Sequence, residues 1–160
     1  MSIKLLKDFV QDDLIFKSVR KTDTGSRIID ICGNTLFQTP WLRILRDIDY
    51  DICVDSEKIT DIFEQIDQIV IEHSSTILNF SKEEILKMYR PLLKQSKNSV
   101  SFRISTNTVL FDQDKNCFNK SEIKDILKRG QTVRFIFSFK KIYFKDHQLT
   151  FPLEVLQIEL

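Results

Sequence analysis

The sequence predicts an α+β chain: one antiparallel β-barrel, elaborated with helices, in a single domain over residues 1–160. Three observations lead there. Segments with period-two alternation, rich in β-branched and aromatic residues, fill both ends of the chain. A stretch with helical spacing lies between them, over residues 56–80. No repeat or Gly/Pro-rich linker divides the 160 residues, of which 42% are hydrophobic. A domain of this size buries roughly 70% of the surface its unfolded chain exposes, so it needs neither disulfide nor metal to hold a core.

Leu-Ile-Phe-Lys-Ser-Val-Arg-Lys, residues 14–21, reads as the first strand, and Thr22 to Gly25 as a turn. Ser26 to Cys32 is the second strand. Gly33-Asn34 suits a two-residue hairpin, because a leading glycine accepts the positive φ of a type II′ turn. A third extended region runs from Thr35 through Val54, interrupted at Pro40, and completes a three-stranded meander.

Asp55-Ser56 starts a helix whose Ile59, Ile62, Phe63, Ile66, Ile69, Val70 and Ile77 share one face, with Asp61, Glu64, Asp67 and Glu72 opposite and solvated. Ser81 with Glu84 forms a capping box for a second helix, and Pro91 ends it. In Ser99 to Ser105, Val100, Phe102 and Ile104 alternate with polar residues. Asn119 and Glu122 open a short helix over 121–128, terminated by Gly130. Val133, Phe135, Phe137 and Phe139 then form a buried row. A turn at Asp146-His147-Gln148 leads into a last strand, 149–160. Three meandering strands, a helix and further strands follow the order of an OB-fold-like barrel, an order other small α+β folds share.

Composition bounds the function. Three dispersed cysteines, Cys32, Cys53 and Cys117, are too few and odd in number for a disulfide framework, which points to a reducing compartment. Lys4, Lys7 and Asp8 break up the only early apolar cluster, so no signal peptide is expected, and no run reaches the length of a membrane span. Residues 1–96 hold 13 Lys and Arg against 16 Asp and Glu, a net of −3; residues 97–160 hold 11 against 7, a net of +4. The carboxyl-terminal part can attract a polyanion that the middle repels.

Catalytic signatures are weak. Gly25, Gly33 and Gly130 are isolated, which excludes phosphate-cradling glycine loops. His73 and His147 lie far apart and no cysteines pair at zinc-ligand spacing. His73-Ser74-Ser75 puts adjacent helical residues in different directions, which suits a surface histidine better than a nucleophile and its base. Asp47, Asp49 and Asp51 would share one face of a strand and could hold a divalent cation. A solvated edge whose like charges discourage aggregation is the simpler reading, because no further acidic or histidine motif supports a metal. No catalytic residue, metal or cofactor is therefore assigned, and the chain is read as a non-enzyme. The acidic 47–72 region is a candidate docking surface for a basic partner protein.

The positive case is basic and aromatic. Arg134, Lys140, Lys141, Tyr143 and Lys145 lie on or beside a Phe-rich strand, Arg103 projects from another, and Lys17, Arg20 and Lys21 edge the first. Trp41, the one tryptophan, follows Pro40 and stands near Arg43. Cations that track phosphates beside rings that stack bases are what a single-stranded nucleic acid requires, each stack contributing roughly 1–3 kcal/mol. Lysine on an edge strand is also ordinary protection against aggregation, and most of the phenylalanines belong in the core. A protein–protein scaffold or regulatory subunit is thus the alternative.

Leu127-Lys-Arg-Gly130-Gln-Thr-Val133-Arg-Phe-Ile-Phe, then Lys140-Lys141-Ile142-Tyr143-Phe144, then Phe151-Pro-Leu-Glu-Val-Leu-Gln157-Ile158 resembles the end of a known group. These are single-stranded DNA-binding proteins of large cytoplasmic DNA viruses and of virus-like linear plasmids of yeast cytoplasm. The resemblance covers about a third of the chain, and the acidic middle departs from it. It implies an OB-fold, binding to single strands during replication, self-association as a homo-oligomer, and a cytoplasmic location. DNA and RNA are not distinguished by these residues.

Overall fold

The computed structural model describes residues 2–33 and 35–160. After edge strand β1 (Ser2–Leu5) come the hairpin β2 (Ile15–Lys21) and β3 (Arg27–Cys32), then β4 (Thr35–Gln38), β5 (Leu42–Arg43) and β6 (Asp51–Asp55). Helices α1 (Thr60–Leu78) and α2 (Lys82–Met88) are followed by β7 (Leu93–Lys94), the long β8 (Ser99–Phe111) and β9 (Cys117–Phe118). Helix α3 (Lys120–Ile126), β10 (Thr132–Ser138), β11 (Lys141–Lys145), β12 (Gln148–Thr150) and β13 (Glu154–Glu159) complete the chain. The protein is mostly β with three α-helices among the described residues.

Five of the strand positions close on themselves. β10 pairs with β4 and β5 along one edge and with β13 along the other; β13 runs parallel to β8, and β8 pairs with β6. An Ile44–Val54 bridge, with the Leu45 N–H donating to the Cys53 carbonyl at 2.9 Å, returns β6 to the end of β5. With β4 and β5 counted as one bent strand, the order round the ring in chain terms is first, second, third, fifth, fourth, with third and fifth parallel. Inside stand Phe37, Phe102, Phe135 and Phe137, all essentially sealed from water, with Phe102 and Phe135 centroids 4.6 Å apart. Each such side chain stabilises the fold by roughly 1.5–3 kcal/mol. Phe63 of α1 and Ile123 of α3 are sealed too, Phe63 edge-on to Phe102.

The bend between β4 and β5 has a local cause. Pro40 has no N–H to donate, so the ladder to β10 breaks there. Thr39 holds the break closed: its N–H donates to the Phe135 carbonyl at 2.9 Å, and its Oγ1 accepts the Phe135 N–H at 3.0 Å. Leu42 and Arg43 then resume pairing, against Val133 and Thr132, and Trp41 is left projecting.

A second sheet, β12-β11-β3-β2, packs through the helices. The Phe16 ring lies 4.5 Å from that of His73, nearly parallel, and Phe80 meets Phe144 at 5.7 Å. His73 thus holds a packing position beside an aromatic ring.

Several expectations are corrected. β2 and β3 form the expected hairpin, with the Gly25 N–H donating to the Thr22 carbonyl at 3.0 Å. β3 does not continue to β4, however: the two lie in different sheets, so no three-stranded meander forms. Of the expected Gly33-Asn34 turn, Asn34 lies outside the described residues. The larger sheet is mixed, because β1 pairs with β4 and β13 with β8 in parallel, while the second sheet is antiparallel throughout. Residues 47–50 form no strand, so Asp47, Asp49 and Asp51 do not share a strand face; the Asp51 N–H instead donates to the Asp49 carboxylate at 3.0 Å.

α1 begins at Thr60 rather than Ser56, because Ser56 closes a turn whose carbonyl receives both the Ile59 N–H and the Thr60 hydroxyl. Asp67 is buried, not solvated. α3 ends at Ile126, and Gly130, at φ +91°, serves the entry to β10 by donating its N–H to the Ile44 carbonyl at 2.8 Å. The last strand splits into β12 and β13 where Phe151 and Leu153 turn into the core.

Candidate nucleic-acid interface

The structure sorts the sequence candidates into two groups and leaves one aside. The first group crosses the shoulder of the ring. Val100, Phe102 and Ile104 of β8 point inward, so Arg103 points out, its guanidinium 3.7 Å from Asp51 on β6. Next to Asp51, Tyr50 is 77% exposed, and the Lys124 ammonium sits 4.9 Å from its ring centroid. On the other side of Arg103 its register partner Glu154 faces out as well, 3.4 Å from the Lys140 ammonium. Lys140 in turn lines a recess of about 430 Å³ together with Lys141, Lys17 and Asp30.

The outer face of the second sheet continues the group. Arg20, Ile28, Tyr143 and Thr150 are aligned across four strands, so Arg20 and the half-buried Tyr143 share that face. Arg20 donates to Asp30 at 2.7 Å and holds its carboxyl below the ordinary aspartate range. Lys145 is exposed at the hairpin end, where Asp146 and His147 adopt positive φ. Lys21 stands apart: its partner is Arg27, which covers Phe144 on the opposite face.

The second group gathers at the other end of β10. Trp41 is 39% exposed, and the Arg134 guanidinium lies 4.8 Å from its ring centroid while pairing with Glu159. Arg43 is exposed and 3.9 Å from Asp55. From Arg134 to Ser138, two residues before Lys140, the strand covers roughly 13 Å, so the groups occupy neighbouring but separate places.

Ion pairing is what the sequence could not show. Arg20, Arg43, Arg103, Arg134 and Lys140 each have a carboxylate within 4.0 Å, whereas Lys17, Lys141 and Lys145 have none among the described residues. Exposed pairs of this kind contribute roughly 0–1 kcal/mol, so a phosphate can displace the carboxylate at small cost. Sequence reasoning missed Tyr50, Lys7, Lys58 and Lys124. Tyr50 was hidden by its acidic neighbours, and the lysines carry no signal until the fold places Lys124 over the Tyr50 ring and Lys7 and Lys58 in a recess that Trp41 also lines. No three His, Cys, Asp or Glu residues gather into a metal-holding group among the described residues.

Fold and surface together define a small, mostly β protein with a closed ring of strands and a basic, ring-flanked shoulder. No protein-family model matches the chain, and no curated protein matches it in sequence. Among solved structures it is similar to the single-stranded DNA-binding protein of bacteriophage Enc34. The TM-score is 0.49 at 11% identity, over 91% of this chain and 88% of that one. The same phage protein in complex with single-stranded DNA gives 0.47 at 11% identity, over 92% and 94% of the two chains. Its C-terminal truncation gives 0.46 at 11%, over 92% of each.

Proposed function

We propose that this chain binds single-stranded DNA without catalysing a reaction and without strong base preference, as an accessory of replication, on an OB-fold-like barrel. The observation that carries the proposal is contiguity: Tyr50, Arg103, Lys140, Lys141 and Lys17 follow one another across the shoulder, the first two joined by the register of β6 and β8, Lys140 by its pairing with Glu154 of β13, and the three lysines by the recess they line. The ring order supports the barrel class, since five strands with the third and fifth parallel and a helix before the fourth suit an OB-type arrangement. In that class oligonucleotides lie across the second and third strands between the first and fourth inter-strand loops. Here those strands are β6 and β8, and the loops hold Tyr50 on one side and the β11–β12 hairpin on the other. Single-stranded DNA is also the ligand named for the phage proteins above.

Copies of the chain are proposed to associate, since edge strand β1 exposes Ile3 and Leu5. The exposed acids Asp61, Glu64 and Glu72 of α1 offer a docking face for a basic replication partner.

Fluorescence anisotropy of a labelled thymidine oligonucleotide tests the proposal. If about five phosphates meet these cations, affinity should drop about a hundredfold between roughly 50 and 200 mM salt. Duplex DNA of the same length should bind more weakly, because its bases cannot stack on the rings. Binding that ignores salt, or equal binding of duplex, would overturn it.

A further inference from the structure

Trp41 separates two recesses on the outer surface. The larger, about 450 Å³, has an apolar floor that includes Pro40, Ile59 and Ile62 and is lined by Lys7, Lys58 and Arg134, with no carboxylate in its lining. Lys58 donates to the Trp41 carbonyl at 3.1 Å, and Arg134 is steadied over the ring by its pairing with Glu159. An apolar floor beside an indole, with three cations around it, matches a flat aromatic group that carries negative charge. An apolar peptide side chain would use the floor and leave the cations without a role. The volume suits one small ligand and not a stack of bases.

We propose that this recess holds one nucleotide of a bound single strand, its base inserted beside Trp41 and its phosphate between Lys7 and Lys58. The proposal rests on strand binding as proposed above. It adds a second point of attachment, at the opposite end of β10 from the Lys140 shoulder, where a single base leaves the run of its neighbours. Arg134 can stack on the inserted base as it now stacks on the indole, since a guanidinium plane pairs with either.

Trp41 is the one tryptophan of the chain, so its emission reports on this recess and the smaller one beside it, and of the two only the larger is lined by Lys7. The full chain is titrated with a labelled thymidine oligonucleotide while strand anisotropy and Trp41 emission are recorded together. Quenching that saturates in step with the anisotropy is expected, and inorganic phosphate should leave emission unchanged. Lys7 and Lys58 are exposed, so the double variant Lys7→Ala/Lys58→Ala should fold normally. It should lose most of the quenching and bind the strand about tenfold more weakly. Strand binding with unaltered Trp41 emission overturns the recess while leaving the shoulder in place, as does quenching that survives the double variant or is reproduced by phosphate. An absence of any anisotropy change overturns strand binding itself.

Discussion

Arg134 leaves β10 and Lys140 lies two residues beyond its end, and they meet different surroundings, one folded over an indole, the other at the rim of a basic recess. Residue chemistry alone made both phosphate ligands; position gives them separate tasks. Lys140→Ala with Lys141→Ala should flatten the dependence of log affinity on log salt by about 1.4, at roughly 0.7 per phosphate contact on a single strand. An unchanged slope in the anisotropy titration would remove both from the interface. Tyr50→Ala should weaken strand binding by roughly 1–3 kcal/mol with unaltered circular dichroism, because the exposed ring supplies stacking and little packing. Val133, Phe135 and Phe137 were legible as an inward row, since alternation follows from strand geometry. The carboxylate beside each cation was not, because Asp51 lies 52 positions from Arg103 and only the β6–β8 register brings them together.

At the scale of elements, local signals served well where the cause is local. Ser81 accepts the Glu84 N–H at 3.1 Å while the Glu84 carboxylate accepts the Ser81 N–H at 3.2 Å, the box the sequence spells out. Ser81→Ala should cost about 1 kcal/mol in denaturant unfolding. Asp67 is the opposite case. On α1 its spacing places it with the acids, yet α2 and the segment after it fold over it. Its carboxylate accepts the Tyr89 hydroxyl and the N–H groups of Leu92, at 2.9 Å, and Leu93, at 3.2 Å.

Burial raises the Asp67 carboxyl above the 3.8 of a free aspartate, outweighing the three donors, and raises the Tyr89 hydroxyl well above its usual value. The folded state therefore holds the Asp67 proton more tightly than the unfolded chain does. The stability this proton contributes is complete below about pH 4 and is lost as pH rises through the raised folded value. Against wild type, Asp67→Asn should gain relative stability across that window, and a pH-independent difference between the two unfolding curves would refute the assignment. Asp67→Ala, which strands all three donors, should cost about 3 kcal/mol at neutral pH.

For the whole molecule, two threonines hold the ring where its strands are irregular: Thr39 spans the gap at Pro40, and Thr108 donates to the Val155 carbonyl at 2.6 Å where β8 bulges against β13. Thr39→Val should destabilise the fold by roughly 1–3 kcal/mol, since the buried Phe135 N–H loses its acceptor, and should also disturb the setting of Trp41. A calorimetric midpoint equal to wild type would show that the ring closes without it.

The sequence by itself determined which apolar rows face inward, where α2 and α3 begin to within a residue, that the carboxyl-terminal part is the basic one, and that strands outnumber helices. Those properties follow from side-chain period and capping within a few residues. Only the tertiary structure decided that β3 leaves β4 for another sheet, that β13 joins β8 in parallel, and that Tyr50 of the acidic segment stands beside Arg103. Each of these depends on which strand edges find one another across tens of residues, and pairing over that distance leaves no trace in local pattern.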